Sequence, residues 1–362
     1  MINSPIVRAE NLRFREEGVK DIIASVFLPW LNSFRFFLAQ VVLLKKDSGI
    51  DFMYDANAPV SANVMDRWIL ARCQSLIQTV REELENYRLY TVVPRLLTMI
   101  NELTNWYIRF NRRRLKGENG PEDTVAALNT LFETLLTVCQ TMSSFTPFIT
   151  ENLYQGLSKF IPPANDDVDR RSVHFLPFPS VHEAYLDPVI QRRFSALQSV
   201  IELGRAMREK KNLPLRVPLR ELTVFHSDPQ FLEDVRSLGS YVEEELNIRD
   251  LVLTDDEVRC GVCFKLLADW PVLGRKLRKD MGKAKKGLDQ VTSDQAKGYM
   301  ETGQIVIEGI PLGEGDLRAM RYVDDSVFPE NMLSDTDGSV VVLLDGEVHP
   351  ELQAEGAARD VI

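Results

Sequence analysis

The chain predicts a mainly α fold, an antiparallel helical bundle followed by a smaller α/β or α+β region. Three observations predict it. Helical periodicity runs almost unbroken from about Val19 to Phe160, in long stretches joined by short turns, which is the pattern of an antiparallel bundle. In the last half of the chain, strand and helix periods alternate, as in a small mixed domain. At 362 residues and 44% hydrophobic content, the chain is long enough for two or three globular domains.

The bundle elements follow in order. Val19 to Leu44 is a long amphipathic stretch, and Pro29 near its middle predicts a break or kink. Asp47 to Ser61 has the Asp, Gly, Asn and Pro content of a linker. A second helix runs from about Val64 to Asn86, with Ser61 or Asn63 as N-cap. A third covers roughly Leu89 to Leu115, through Pro94. Lys116 to Pro121 reads as a turn. Pro121 opens the next helix at its first position, and Glu122 and Asp123 load its first turn as the helix dipole favours. That helix runs to about Met142, and Thr146 to Tyr154 begins a fifth.

Ile161 to Ser180 is rich in Pro and Asp and reads as an irregular connector. A helix from about Asp187 to Lys211 then precedes a strand at Glu221–His226. A helix at about Gln230–Leu246 leads to a strand at Asp250–Thr254, and a further strand is expected at Val258–Leu266. A basic helix from about Val272 to Leu288, another to Met300, and strands at Gln304–Glu308 and Ser339–Leu344 complete the pattern.

Composition excludes several classes. No apolar run approaches the ~18 residues of a membrane span, so no membrane is expected. The opening MINSPIVRAENLRF has no signal-peptide core. Four scattered cysteines at 73, 139, 260 and 263 suit reduced thiols in the cytosol. Cys260 and Cys263 lack the second pair of ligands that a zinc site needs. The four histidines are isolated, so neither a catalytic nor a metal-ligating residue is expected.

The informative stretch is Asn105 to Lys116, NWYIRFNRRRLK. On a regular helix Leu103, Trp106 and Phe110 share one side and are expected in the core. Arg109, Arg112, Arg113 and Lys116 share another, at i, i+3, i+4 and i+7. Such a stripe suits a polyanion, and it stands out in a chain of net charge -10. It is also what a solvated helix face looks like, with Glu102 and Glu118 as pairing partners. Arg114 points to the aromatic side and is expected to meet a buried carboxylate. Two further basic clusters are candidates for phosphate contact. Arg205, Arg208, Lys210 and Lys211 end one helix, where the dipole alone also favours cations. Arg275, Lys276, Arg278 and Lys279, with Lys283, Lys285 and Lys286, form the other.

An ordered set of phrases carries a resemblance over essentially the whole chain. They include SPIVRAENLRF (4–14), LPWLNSFRFF (28–37), DRWIL (66–70), NWYIRFNRRRLKG (105–117), TPFITENLYQGL (146–157), SVHFLPFP (172–179), SVIELGRAMREKKNLPLRVPL (199–219), EEELNIRDLVL (243–253), WPVLGRKL (270–277) and ELQAEGAARDVI (351–362). In these the chain resembles the anticodon-binding and C-terminal part of the cytosolic eukaryotic isoleucyl-tRNA synthetases. Valine and leucine synthetases share the tryptophan-and-arginine helix only loosely, and NWYIRFNRRR and ELGRAMR favour isoleucine.

The resemblance implies a division into a connector at 1–18, an anticodon-binding bundle at 19–160, a connector at 161–190 and a C-terminal tRNA-binding region at 191–362. It implies a cytoplasmic ligase that joins isoleucine to tRNA(Ile) with ATP and magnesium, and it leaves open membership of a multi-synthetase complex. Such an enzyme discriminates weakly against an amino acid one methylene smaller, and the family compensates by editing. The His-Ile-Gly-His and Lys-Met-Ser-Lys-Ser phrases that contact ATP in the family do not occur here, nor does an editing domain. The chain therefore reads as a portion of such an enzyme that keeps tRNA recognition, without a cofactor of its own. A reading of a different class is a free-standing tRNA-binding or scaffolding module without catalysis.

Overall fold

A computed structural model describes residues 16–59, 61–163, 167–277, 280–313 and 315–359. The chain divides into two compact units, Met1–Gln191 and Arg192–Ile362.

The first unit is a helical bundle. Its first helix, α1 (Glu16–Ser48), opens into a π turn at Ile23–Phe27 before resuming at Leu28. The expected break at Pro29 is this π turn. A proline gives no N–H to the preceding turn and crowds the carbonyl there, and a widened turn accommodates both. By length and composition α1 is apolar enough to cross a membrane, contrary to the expectation that no run reaches that length. Its Trp30, Phe34, Phe37, Val41 and Leu44 are instead buried in the bundle, at the spacing of a single helix face.

Helix α2 (Val64–Glu85) is capped by Asn63, whose Oδ1 accepts from the amides of Met65 at 2.8 Å and Asp66 at 3.3 Å. Helix α3 (Leu89–Asn101) carries Pro94 without ending there. Helix α4 (Pro121–Met142) starts on Pro121, after Gly120 at φ 98°. Helix α5 (Pro147–Leu157) follows. α2 packs on α3 and α4, and α4 packs on α1 and α5. Trp68, Ile69, Leu96, Leu128, Phe132 and Tyr154 fill the space between them.

Two segments with linker composition are part of this core. Phe52, in the loop after α1, is buried, with its ring 5.6 Å from that of Phe37, and Tyr54 stacks on Phe132 at 4.6 Å. The expected connector at 161–190 is irregular, with single turns at Val173–Phe175 and Glu183–Tyr185, but it lies against the bundle. Glu151 accepts from Ser172 Oγ (2.9 Å) and the Val173 amide (3.0 Å), and Tyr154 Oη donates to the Arg170 carbonyl (2.9 Å). Gln74 Oε1 accepts from the His182 amide at 2.8 Å.

The second unit contains most of α6 (Pro188–Lys210) and a mixed sheet. Strand β1 (Leu219–Phe225) connects through α7 (Pro229–Ser237) and α8 (Gly239–Leu246) to β2 (Ile248–Thr254), which pairs parallel to it, Leu222 opposite Leu251. The single helix expected at 230–246 is two, broken at Leu238. Strand β3 (Val262–Ala268) starts later than expected because Gly261, at φ 56°, holds a turn. Then come α9 (Trp270–Leu277), α10 (Met281–Leu288) and α11 (Ser293–Thr302). β4 (Gln304–Ile307) and β5 (Ile310–Gly313) form a hairpin across Glu308 and Gly309, at φ 50° and 76°, the paired left-handed geometry of a tight hairpin turn.

β6 (Leu317–Val323) pairs antiparallel with β3. β7 (Met332–Thr336) and β8 (Val341–Asp345) complete the four-stranded sheet in the order β2-β1-β8-β7, with β8 antiparallel to both neighbours, and α12 (Pro350–Arg359) follows. Phe225, Phe264, Leu266, Leu317, Val341 and Leu343 form the centre of this unit's core.

Candidate nucleic-acid interface

The basic stretch is not a regular helix. After α3 the chain makes a second π turn at Glu102–Tyr107, a short α segment at Ile108–Phe110, a break at Asn111 and one last turn at Arg112–Leu115. A π turn shifts the phase of everything after it. Leu103 and Trp106 reach the core as expected, but Phe110 is only half-buried, its ring 5.8 Å from that of Trp106. The core assignment of Phe110 is therefore corrected.

A buried polar cluster sets the end of this stretch. Arg114 is 8% exposed and Asp66, on α2, is fully buried. Arg114 Nη2 and Nη1 donate to the two oxygens of Asp66 at 3.0 and 3.2 Å. Its Nε and Nη2 also donate to Asp123, on α4, at 2.9 and 2.6 Å. Its Nη1 donates to Asn111 Oδ1 at 2.6 Å, and Tyr107 Oη donates to Asp66 at 2.7 Å. Burial alone would lower the Arg114 pKa, but its hydrogen bonds to Asp123 and Asp66 outweigh that and raise it above the ordinary value. The same bonds from Arg114 hold the Asp123 carboxyl below its usual range. Arg114 is thus the paired residue that the helical spacing suggested, and it ties the stretch to α2 and α4.

With Arg114 turned inward, Arg109, Arg112, Arg113 and Lys116 are all exposed. Arg113 Nε pairs with Glu118 at 2.6 Å, whereas Glu102 is buried and pairs instead with Arg72 at 2.9 Å. Arg109 and Arg112 border an open groove of about 730 Å³. Pro29, Asn32 and Phe36 of α1 form one side, and Thr104, Asn105 and Ile108 form the other. Nothing in the local sequence marks Asn32, Phe36 and Asn105 as partners, since two distant segments bring them together.

The other predicted cations divide. Arg208 is 2% exposed, and its guanidinium donates to the carbonyls of Pro214 (3.1 Å), Val217 (3.2 Å) and Asn247 (3.2 Å). Burial pulls its pKa down to about 10. It fastens α6 to the starts of β1 and β2, and its expected phosphate contact is corrected to this internal one. Arg205 is half-buried and donates to Glu245 at 2.7 Å. Lys210 is exposed and pairs with Asp335 at 2.8 Å, and Lys211 is exposed. Arg275 and Lys276 lie in α9, with side chains outside what the structure describes, and Arg278 and Lys279 lie outside the described residues. Among the described residues, no group of three or more His, Cys, Asp or Glu is placed to hold a metal.

A family model described as the anticodon-binding domain of tRNA ligase matches residues 66–223. Over its whole length the chain is 52% identical to the cytoplasmic isoleucine–tRNA ligase of Schizosaccharomyces pombe and covers 34% of it. It is 51% identical to that of Saccharomyces cerevisiae, again covering 34%, and 43% identical to that of Mus musculus, covering 29%. The chain spans about a third of the length of these relatives.

Proposed function

The chain belongs with the isoleucine–tRNA ligases, as a portion carrying their anticodon-binding domain, and on that premise we propose that the exposed face of Arg109, Arg112, Arg113 and Lys116 binds the phosphates of tRNA(Ile). The observation that carries the proposal is the pinned basic stretch. A net charge of -10 repels RNA on average, so binding needs a local concentration of cations. Here an exposed group of four is held on the bundle by a buried arginine, and a stretch whose neighbouring side chain is committed inward presents the others outward at little ordering cost. Glu118 competes with phosphate for Arg113. Lys210 and Lys211 are proposed as secondary contacts.

The whole enzyme of which this is a portion is proposed to act in the cytoplasm, joining isoleucine to tRNA(Ile) with ATP and magnesium. This portion contributes tRNA recognition and needs no cofactor for it. Association of the whole enzyme with a multi-synthetase complex is compatible with this role.

The test is the salt dependence of tRNA binding. Each phosphate contact adds roughly 0.7–0.9 to the slope of log K against log salt. The double variant Arg112→Ala, Lys116→Ala should flatten the slope by roughly 1.4–1.8 and weaken all tRNAs to a similar degree. An unchanged slope in a folded variant returns the stretch to an ordinary solvated face.

A further inference from the structure

We propose that a recess in the second unit binds a free α-amino acid with an apolar side chain. The recess has a volume of about 300 Å³, at the small end of the range for ligand sites. It lies between the end of α6 and the turn that leads into β7. Met207, Phe328, Met332 and Leu333 give it an apolar floor. Two of these are methionines, whose unbranched side chains adapt to more than one apolar shape.

The charged side chains around the recess sort by their existing bonds. Lys210 pairs with Asp335 at 2.8 Å, and Asp325 accepts from the Ser334 hydroxyl. Those two charges are committed, and the Lys210 pair also ties the end of α6 to β7. Lys211 and Glu330 line the same recess, and both are exposed. Among the described residues neither has an ion-pair partner, and they do not pair with each other. A cation and an anion left open at one apolar recess match a zwitterion. The carboxylate of the ligand meets Lys211, its ammonium meets Glu330, and its side chain lies on the floor. A phosphate or a nucleotide would instead meet Glu330 and Asp325 as like charges.

Both walls are set before a ligand arrives. Arg208, one turn ahead of Lys211, is held by the carbonyls of Pro214, Val217 and Asn247. Asn212, at φ 53°, ends the helix directly after Lys211, and the Leu213 amide closes on the Arg208 carbonyl at 2.8 Å. On the other wall Phe328 packs on bare backbone, since a Cβ at Gly261 would come within 2.9 Å of its ring. The Met332 amide donates to the Pro329 carbonyl at 3.0 Å and closes a turn around Glu330. A site formed in advance loses little to ordering when a small ligand binds. A bound carboxylate competes at Lys211 with the secondary phosphate contact proposed above.

The experiment is isothermal titration of the full chain with leucine, isoleucine, methionine and phenylalanine, and with alanine as the control that has little apolar side chain. One saturable site is expected for at least one of the four, with alanine weaker by roughly tenfold or more. The N-acetyl derivative of the best ligand lacks the ammonium, and its amide lacks the carboxylate. Each should bind roughly tenfold more weakly than the free amino acid. In Glu330→Gln the penalty for the N-acetyl group should disappear, and in Lys211→Met the penalty for the amide should disappear. Both positions are exposed, so melting should stay near that of the parent. No saturable binding by any of the four overturns the proposal. So does equal affinity for the free amino acid and both derivatives, or binding that both charge variants leave unchanged. None of these results alters the salt slope expected of the Arg112→Ala, Lys116→Ala variant, which tests the RNA face by itself.

Discussion

Single side chains in this protein have their chemistry set by where the backbone delivers them. Arg114 and Arg112 are two positions apart in one basic run, yet one is a buried structural cation and the other an exposed one. Glu133 on α4 is a similar case. It borders a cavity of about 240 Å³ with Asp55, Glu122 and Tyr185, and burial pushes its carboxyl up to about 7, against a weaker opposing hydrogen bond from Tyr54. The folded-state pKa is above the unfolded one, near 4.5. Between those values the folded protein holds a proton that the unfolded chain has released, so stability falls as pH rises through the window and is lowest above it. The gap is worth at most roughly 3 kcal/mol. Glu133→Gln mimics the protonated form. It should raise the melting temperature at pH values above about 7 and change it little near the lower end of the window. Melting curves across that range check this, and equal shifts at both ends would assign the effect to packing.

At the scale of the elements, the bundle's turns hold the strain. Tyr87, between α2 and α3, sits at φ 58° with its side chain 92% exposed. A bulky residue in left-handed backbone costs about 1–2 kcal/mol, and so exposed a ring recovers almost none of it by burial. Tyr87→Gly relieves the strain and adds some unfolded-state entropy, a loss of roughly 0.5–1 kcal/mol. The expected net is a stabilisation on the order of 0.5–1 kcal/mol, read as a higher denaturation midpoint with unchanged m-value. A destabilised variant would show that the Tyr87 side chain makes contacts that offset its backbone. The two π turns are the counterpart, since they are irregular where the sequence pattern is a clean helix.

At the scale of the whole molecule, the chain spans about a third of the length of the relatives it matches. Neither of the two phrases that contact ATP in the resembled family occurs in its 362 residues. Isoleucine-dependent ATP–pyrophosphate exchange by the purified chain is expected at background, and turnover above background would sink that expectation. The sequence by itself determined the helix positions of the bundle, because a 3.6-residue apolar period and caps such as Asn63 and Pro121 are local signals. It also determined that Arg114 is inward and Arg109, Arg112, Arg113 and Lys116 outward, since that follows from spacing within one run. Only the tertiary structure decided the rest. Strands β5, β6 and β7 were not legible, because short half-buried strands take their identity from partners far along the chain. The burial of Phe52 and Arg208 was hidden by linker and basic composition, which describe neighbours in sequence and not those in space. The phase of Phe110 follows the π turn at Glu102–Tyr107, and the groove joins two helices about 75 residues apart. A periodicity that assumes one regular helix carries no trace of either.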